Sequence, residues 1–321
     1  MKTSVRILSL IFVLVLCQGA FAESKPISIG IIQLVQHTAL DASCNGFIDA
    51  LADNGYVDGE TIAIDFQNGQ GDQANLATIS DRFVSNNVDL VLAIATPAAL
   101  AIAGKTTTIP ILATAVTDFE AARLVESNER PGTNVSGTTD MASIEDQIAL
   151  FKVFAPEVKT IGVLYNSGEV NSVVQAEEAK RVIEAMGCVY MERTFASSNE
   201  VQQATEAIVR VCDGLYLPTD NVISSSMPII YGVTVESKTP VICAESGQVE
   251  GGALATLGIN YYKLGYQAGL MAVRLLEGNV DISEMPVERQ TEFDYCINGT
   301  VAAEIGIEIP EEFLDFVITM N

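Results

Sequence analysis

The 321-residue chain is predicted to be an α/β protein of two Rossmann-like lobes, each built on a parallel sheet, joined by a three-crossing hinge. Three observations predict it. Gly30 and Gly162 stand 132 residues apart (162 − 30) in runs that read alike, Ile27 to His37 and Lys159 to Asn171, and Gly55 and Gly187 repeat that spacing (187 − 55) behind the next amphipathic stretch. Each half then runs apolar strand, polar loop, amphipathic helix, Gly, strand, the alternation of a parallel sheet covered by helices. Several strands in both halves end in hydroxyl, amide or acidic residues, and such sheets bind ligands at their carboxyl-end loops.

Residues 1–22 read as a secretory signal peptide, because Lys2 and Arg6 precede apolar Ile7 to Leu16 and Ala20-Phe21-Ala22 forms a small-x-small cleavage site. That run falls short of the about 20 residues a membrane span needs. The mature chain is therefore expected to be exported, periplasmic or extracellular. A lipid anchor at Cys17 is the alternative, although the preceding Leu16 is larger than the small residue lipidation normally follows. The formal charge of −24 becomes −26 without Lys2 and Arg6, which disfavours nucleic acid and anionic lipid as partners. Cys44, Cys188, Cys212, Cys243 and Cys296 form no C-x-x-C pattern and read as buried small hydrophobes, with a Cys188–Cys212 disulfide left open.

In the first half, strand Ile27 to Ile32 leads into the polar loop Gln33 to Asp41. A helix follows with Leu40, Cys44, Phe47, Ile48 and Leu51 on one face, ended by Asn54-Gly55. After strand Thr61 to Phe66, Gly69 and Gly71 lack the third Gly or the Gly-Lys-Ser/Thr of a nucleotide loop. Asp72 reads instead as the N-cap of a helix with Leu76, Ile79 and Phe83 buried. Strand Val88 to Ala95 ends at Thr96-Pro97, and a short strand from Ile109 leads to Thr114, Thr117 and Asp118.

The second half repeats this order, its strand ends being Tyr165-Asn166-Ser167, then Pro218-Thr219-Asp220-Asn221, then Glu245. Pro110 to Ala115 aligns with Pro240 to Glu245. Residues 27–139 with 258–285 are expected to form lobe 1, and 140–257 with 286–321 lobe 2, the last crossing falling near Pro286.

The candidate ligand-binding residues are those at the two mouths: His37, Thr96 and Thr117 on lobe 1, and Asn166, Ser167, Thr219, Asp220, Asn221 and Glu245 on lobe 2. Hydroxyls and free amides beside helix N-termini suit a carboxylate. Acids on the opposite mouth suit an ammonium, so the pair fits a zwitterion, with Asp220 expected to take the ammonium. Each residue also has a structural reading: turn capping for Thr96 and Thr117, an N-cap for Asp220, a solvated charge for Glu245, and solvent contact for His37. With a single His, no Gly-x-Ser-x-Gly and no clustered metal ligands, neither enzyme chemistry nor a cofactor is implied.

Further stretches carry a family resemblance: Gly46-Phe47-Ile48 to Gly55-Tyr56, Gln70-Gly71-Asp72-Gln73, Ala93-Ile94-Ala95-Thr96-Pro97-Ala98 and Thr114-Ala115-Val116-Thr117-Asp118 in the first half. In the second half they are Tyr165-Asn166-Ser167, Glu169-Val170-Asn171-Ser172, Pro218-Thr219-Asp220-Asn221 and Gly252 through Gly269. On these the chain resembles the tryptophan/tyrosine-type substrate-binding proteins of ABC transporters, which have the type I periplasmic binding protein fold. The resemblance covers nearly the whole mature chain. It implies capture of a free amino acid, often aromatic, and delivery to a permease with its ATPase, without a cofactor; a monomer is expected. Where relatives tend to read Gly-Ser-Glu-Asp-Gly, this chain has Cys243-Ala244-Glu245-Ser246-Gly247, keeping the Glu among altered neighbours. With no Trp, stacking would fall to Tyr165, Phe119 or Tyr261. The other readings are a ligand-sensing receptor component, an enzyme on the same fold, and a DNA-binding regulator. The exported N-terminus and the lack of a basic helical module oppose the regulator, and the absence of an anchor after residue 22 opposes a one-chain receptor.

Overall fold

The computed structural model describes residues 26–320. The expected signal peptide at 1–22 and Cys17 lie outside the described residues. Lobe 1 opens with β1 (Ile27–Gln33), α1 (Thr38–Asp53), β2 (Ile62–Asn68), α2 (Gln73–Asn86), β3 (Leu90–Ile94), α3 (Thr96–Ala103), β4 (Ile111–Val116) and β5 (Val135–Thr139). Lobe 2 follows with α4 (Ile144–Phe154), β6 (Thr160–Asn166), α5 (Val170–Ala185), β7 (Val189–Phe195), α6 (Val201–Ile208) and β8 (Gly214–Leu217). It continues through α7 (Asn221–Ser225), α8 (Met227–Glu236), β9 (Val241–Cys243), α9 (Ser246–Glu250) and β10 (Ala255–Gly258). The chain returns to lobe 1 for α10 (Tyr261–Leu276) and β11 (Glu288–Arg289), then ends on lobe 2 with β12 (Asp294–Asn298), α11 (Gly299–Ile305) and β13 (Val317–Ile318).

One sheet runs β11-β5-β4-β3-β1-β2 and the other β13-β12-β10-β9-β8-β6-β7, so the order β2-β1-β3-β4-β5 recurs as β7-β6-β8-β9-β10. All the pairings are parallel except that of β12 with β10. The repeat extends to single hydrogen bonds. Asp89 accepts from the Ser28 amide at 2.8 Å and Asp213 from the Thr160 amide at 2.9 Å, each carboxylate holding the start of its lobe's first strand. The Pro110 carbonyl accepts from Val91 at 3.0 Å and the Pro240 carbonyl from Leu215 at 2.9 Å.

The paired glycines have the same physical reason in both lobes. A Cβ on Gly30 would meet the Phe83 ring at 2.7 Å and one on Gly162 would meet Ile208 at 2.7 Å, so each glycine lets a covering helix lie on its strand. Gly55 and Gly187 both have φ of +84°, the left-handed turn that ends α1 and α5. Asp72 caps α2 as the sequence predicts, accepting from Ala74 and Asn75.

Three segments connect the lobes: β5 to α4, β10 to α10, and β11 to β12. The third lies beyond Arg289, because Glu288 and Arg289 pair with Thr138 and Thr139 of lobe 1. The boundary expected near Pro286 is therefore displaced; Pro286 lies before the strand, not at the crossing. Gly258, assigned to lobe 1 from sequence, belongs to the lobe 2 sheet through its pairing with Asp294. The disulfide left open does not form. Cys188 and Cys212 are free thiols, and Cys188 Sγ donates to the Val158 carbonyl at 3.6 Å.

Backbone contact fastens the second crossing to lobe 1. A Cβ on Gly265 of α10 would lie 1.8 Å from the Ser43 carbonyl of α1, and one on Gly46 would lie 2.1 Å from the Tyr262 carbonyl. At these two glycines the helices meet backbone to backbone, and Leu264, Ala268 and Met271 are driven into the core beside Phe47. Both helices start at the cleft, so their packing sets where His37 and Tyr261 stand. Gly265→Ala must push them apart, and is expected to destabilise the chain by about 3 kcal/mol, at the upper end of overpacking costs. A lowered urea midpoint checks this; an unchanged midpoint contradicts the close crossing.

Candidate functional site

The carboxyl ends of both sheets face each other across the cleft, and hydrogen bonds already join them. Thr117 and Thr219 hydroxyls are 2.9 Å apart, and His37 Nε2 lies 3.3 Å from Asn221 Oδ1. Between these contacts is an inner pocket lined by His37, Ala115, Asp140, Thr219, Asn221, Ser224, Glu245 and Tyr261, with Leu40 behind. It is drawn down to about 10 Å³, the room of about one water. Asn221 also lines a wider outer cleft of about 370 Å³, shared with Leu34, Gln73, Pro97, Asn166, Glu169 and Ser198.

The inner pocket is acidic and holds no Lys or Arg among its described lining residues. Glu245 is the N-cap of α9, its carboxylate accepting from the Gly247 amide at 2.8 Å and the Ser224 hydroxyl at 2.9 Å. Burial pushes it up to about 7, against the lowering effect of those two donors. Asp140 immediately follows β5 on the first crossing. Its Oδ2 accepts from the Tyr261 hydroxyl at 2.7 Å, and its buried Oδ1 has no partner. Burial raises Asp140 too, against the lowering by the Tyr261 hydroxyl. His37 is half-buried and held down to about 4 by desolvation, which outweighs the Asn221 bond and the Asp41 charge, so its ring is neutral near pH 7. His37 Nδ1 and Thr96 Oγ1 are buried without partners. Backbone strain accompanies this mouth: Ala95, just before Thr96, has φ +85° and ψ 150°, a conformation costing about 1–3 kcal/mol in a residue with a Cβ.

Of the residues predicted from sequence, the inner pocket gathers His37, Thr219, Asn221 and Glu245. Thr117 joins through its bond to Thr219, Asn166 lines the outer cleft, and Thr96 is buried next to Pro97. Two do not face the pocket. Ser167 is exposed and its hydroxyl donates to the Phe195 carbonyl at 3.3 Å, tying down the end of β7. Asp220, expected to take an ammonium, is fully buried and turned into lobe 2. It caps α7 through the Ile223 amide at 2.9 Å and accepts from the Asn166 amide at 2.6 Å and the Ser172 hydroxyl at 2.7 Å. Its carboxylate is thereby occupied in holding the β6 and β8 loops together. Glu169 does related work, accepting from the Asn221 and Val222 amides at the start of α7. Tyr165 bonds Glu192 on the β7 edge, and Phe119 borders a separate cavity beside Asn128 and Pro286; of the three aromatic candidates Tyr261 alone lines the inner pocket.

The family model described as ABC transporter substrate binding protein matches residues 28–318. The chain belongs to this family. It is 47% identical over 276 residues to a tyrosine-binding protein of Clostridioides difficile (strain R20291), covering 86% of this chain and 80% of that protein. A Streptococcus pneumonia ABC domain in complex with L-Trp superposes with a TM-score of 0.88 at 37% identity, covering 92% of this chain and all of the other. The ligand-free, open structure of a substrate binding protein with adhesive properties from Clostridium difficile superposes with a TM-score of 0.71 at 48% identity, covering 92% and 99%. Between these two structures, agreement runs opposite to sequence identity, and the one that superposes less well is the open one. The substrate-binding protein described here has its lobes shut, as the bonds between Thr117 and Thr219 and between His37 and Asn221 require. The family is one of binding proteins, not enzymes.

The buried carboxyls have a consequence for stability. Glu245 titrates at about 7 when folded, and burial together with the Glu169 charge also raises Asp220 to about 7, whereas both lie near about 4 in an unfolded chain. Across that window the folded chain holds protons that the unfolded chain has released, so the contribution of these groups to stability falls as pH rises from about 4 to about 7. Glu245→Gln is expected to flatten this slope in thermal melts at constant ionic strength. An unchanged slope would contradict the burial assigned to Glu245.

Proposed function

We propose that this substrate-binding protein works outside the cytoplasm, captures a free L-amino acid with a large or aromatic side chain between its lobes, and delivers it to an ABC permease and ATPase. The observation that carries the reading is the inner pocket, where buried carboxylates meet amide and hydroxyl groups of both lobes with no protein cation among them. Buried charge without a partner is costly, and a zwitterion supplies both the missing cation and an acceptor for hydroxyl and amide donors. Relatives named for tyrosine and bound to L-Trp support an aromatic side chain. The outer cleft of about 370 Å³ gives that side chain room, with Leu34, Val35 and Pro97 as apolar walls and Gln70, Gln73 and Ser198 as polar ones. In the shut form the inner pocket has the room of about one water, so entry requires the lobes to part, and they close on the ligand less tightly than here.

Calorimetric titration with the amino acids, purine nucleosides and sugars tests the reading. An aromatic L-amino acid is expected to give a saturable response; tight binding of a purine or sugar with no amino-acid response would overturn it. Affinity should also fall between about pH 8 and about pH 5.5, because protonation of a carboxyl titrating at about 7 removes the charge that attracts an ammonium. His37 does not contribute to that change, being already neutral throughout.

A further inference from the structure

We propose that Glu169 is a positioning residue for lobe closure: it takes the side-chain nitrogen of Asn221, which turns that side chain's oxygen across the cleft to accept from His37, so an acid of lobe 2 fixes a bond that joins the two lobes. The Glu169-Val170-Asn171-Ser172 stretch has no part in the amino-acid reading above, and the proposal holds whatever ligand is captured. Glu169 is 5% exposed and is met by donors alone: the Asn221 and Val222 amides at 3.2 and 3.3 Å, and the side-chain nitrogens of Asn221 at 2.5 Å, Asn171 at 3.2 Å and Asn166 at 3.4 Å. An Asn side chain has two ends of one shape and opposite hydrogen-bonding role. Turned the other way, Asn221 would set its oxygen against the Glu169 carboxylate, exchanging a charge-assisted bond for a repulsion between acceptors. The nitrogen therefore stays with Glu169 and Oδ1 faces lobe 1, 3.3 Å from His37 Nε2. Meeting an acceptor, His37 Nε2 must carry the ring's proton. In a neutral ring Nδ1 is then bare, and it is buried without a partner.

The repeat gives this arrangement a second, independent basis. His37 and Glu169 stand 132 residues apart (169 − 37), the offset of the paired glycines, and they occupy the same place, the N-cap of α1 and of α5. Neither side chain caps its own helix. Both turn instead to Asn221, one accepting from its nitrogen and the other donating to its oxygen. One position of the duplicated unit has thus become an acceptor in lobe 2 and a donor in lobe 1, with Asn221 as the adapter between them. The other bond across the cleft draws on the same acid. Asn171, held by Glu169, donates to the Thr219 carbonyl at 2.7 Å, and the Thr219 hydroxyl meets that of Thr117. Asn221 lines both the inner pocket and the outer cleft, so its bond to His37 lies at the boundary between them.

The chain has a single His, so its imidazole resonances need no assignment. The test records histidine NMR spectra of the mature chain with no ligand added, as wild type, Glu169→Ala, Glu169→Gln and Asn221→Ala. In wild type a proton on Nε2, protected from exchange with water, is expected, and the ring should titrate at about 4. The Asn221 bond and the Asp41 charge both favour the charged ring, so a value below the ordinary one of about 6.5 comes from enclosure between the lobes. Glu169→Ala and Asn221→Ala should each lose the protected proton and move the titration towards about 6.5, and the double variant should go no further than Asn221→Ala alone. Glu169→Gln, which keeps the volume and one acceptor, should lie between wild type and Glu169→Ala, and it decides the case if Glu169→Ala does not fold. A Glu169 that only braced lobe 2 would, on replacement, lower the melting temperature and leave the His37 proton and titration as in wild type. That result, or a wild-type His37 that titrates near about 6.5 with no protected proton, would overturn the proposal. Because no ligand enters the measurement, it stands or falls apart from the amino-acid reading.

Discussion

The structure depends on a charge imbalance placed where its two lobes meet. Asp140 and Glu245 are withdrawn from water into one pocket, and neither forms an ion pair with Lys or Arg among the described residues. Burial there favours the protonated carboxyl against its hydrogen-bond donors, which is why Glu245 moves up to about 7. On the amino-acid reading proposed above, a cation arriving with the ligand changes the balance, turning a cost of the shut form into an attraction. The acidity of the whole chain, −24 with the N-terminal segment counted, adds a long-range field of the sign that favours such a cation.

Duplication explains how a pocket of this kind is built from ordinary parts. Each lobe delivers strand ends at the same switch point, between its first and third strands, where neighbouring connections leave in opposite directions. Matching bonds at Asp89 and Asp213, and matching glycine turns at Gly55 and Gly187, keep the two sheets equivalent far from the cleft. The mouths have diverged on that common frame, with threonines and a neutral histidine on one side and Glu245 and amides on the other. Behind the lobe 2 mouth, buried glutamines act as splints: Gln175 accepts from the Thr219 amide at 2.7 Å, and Gln147 donates to the Ala244 and Leu257 carbonyls. The loops of the lobe 2 mouth are thus held by groups set behind them.

Much of this was readable in the sequence because it depends on local patterns. Paired glycines reported the repeat since each answers a local demand, a helix lying on a strand or a left-handed turn. Asp72 and the amphipathic stripes of α1 and α2 were equally local. Asp220 was misread because an acid following a strand looks the same whether it caps the next helix or faces a ligand; only its contacts with Asn166 and Ser172, 54 and 48 residues away, separate the two. Asp140 is not legible in sequence because its meaning lies in Tyr261, 121 residues later, and in that residue's hydroxyl, which sequence does not pair with it. The one available signal was a lone acid closing the Thr-rich run at the first crossing. The third crossing was displaced because β11 is two residues long and leaves no periodic pattern.

A crystal structure of the full mature chain with L-tyrosine tests the central claim most directly. The account expects the ammonium nitrogen within about 3.2 Å of Asp140 Oδ1 and of a Glu245 carboxylate oxygen, with the Tyr261 bond intact. An ammonium seated elsewhere, or the ligand's carboxylate facing Asp140, would contradict it.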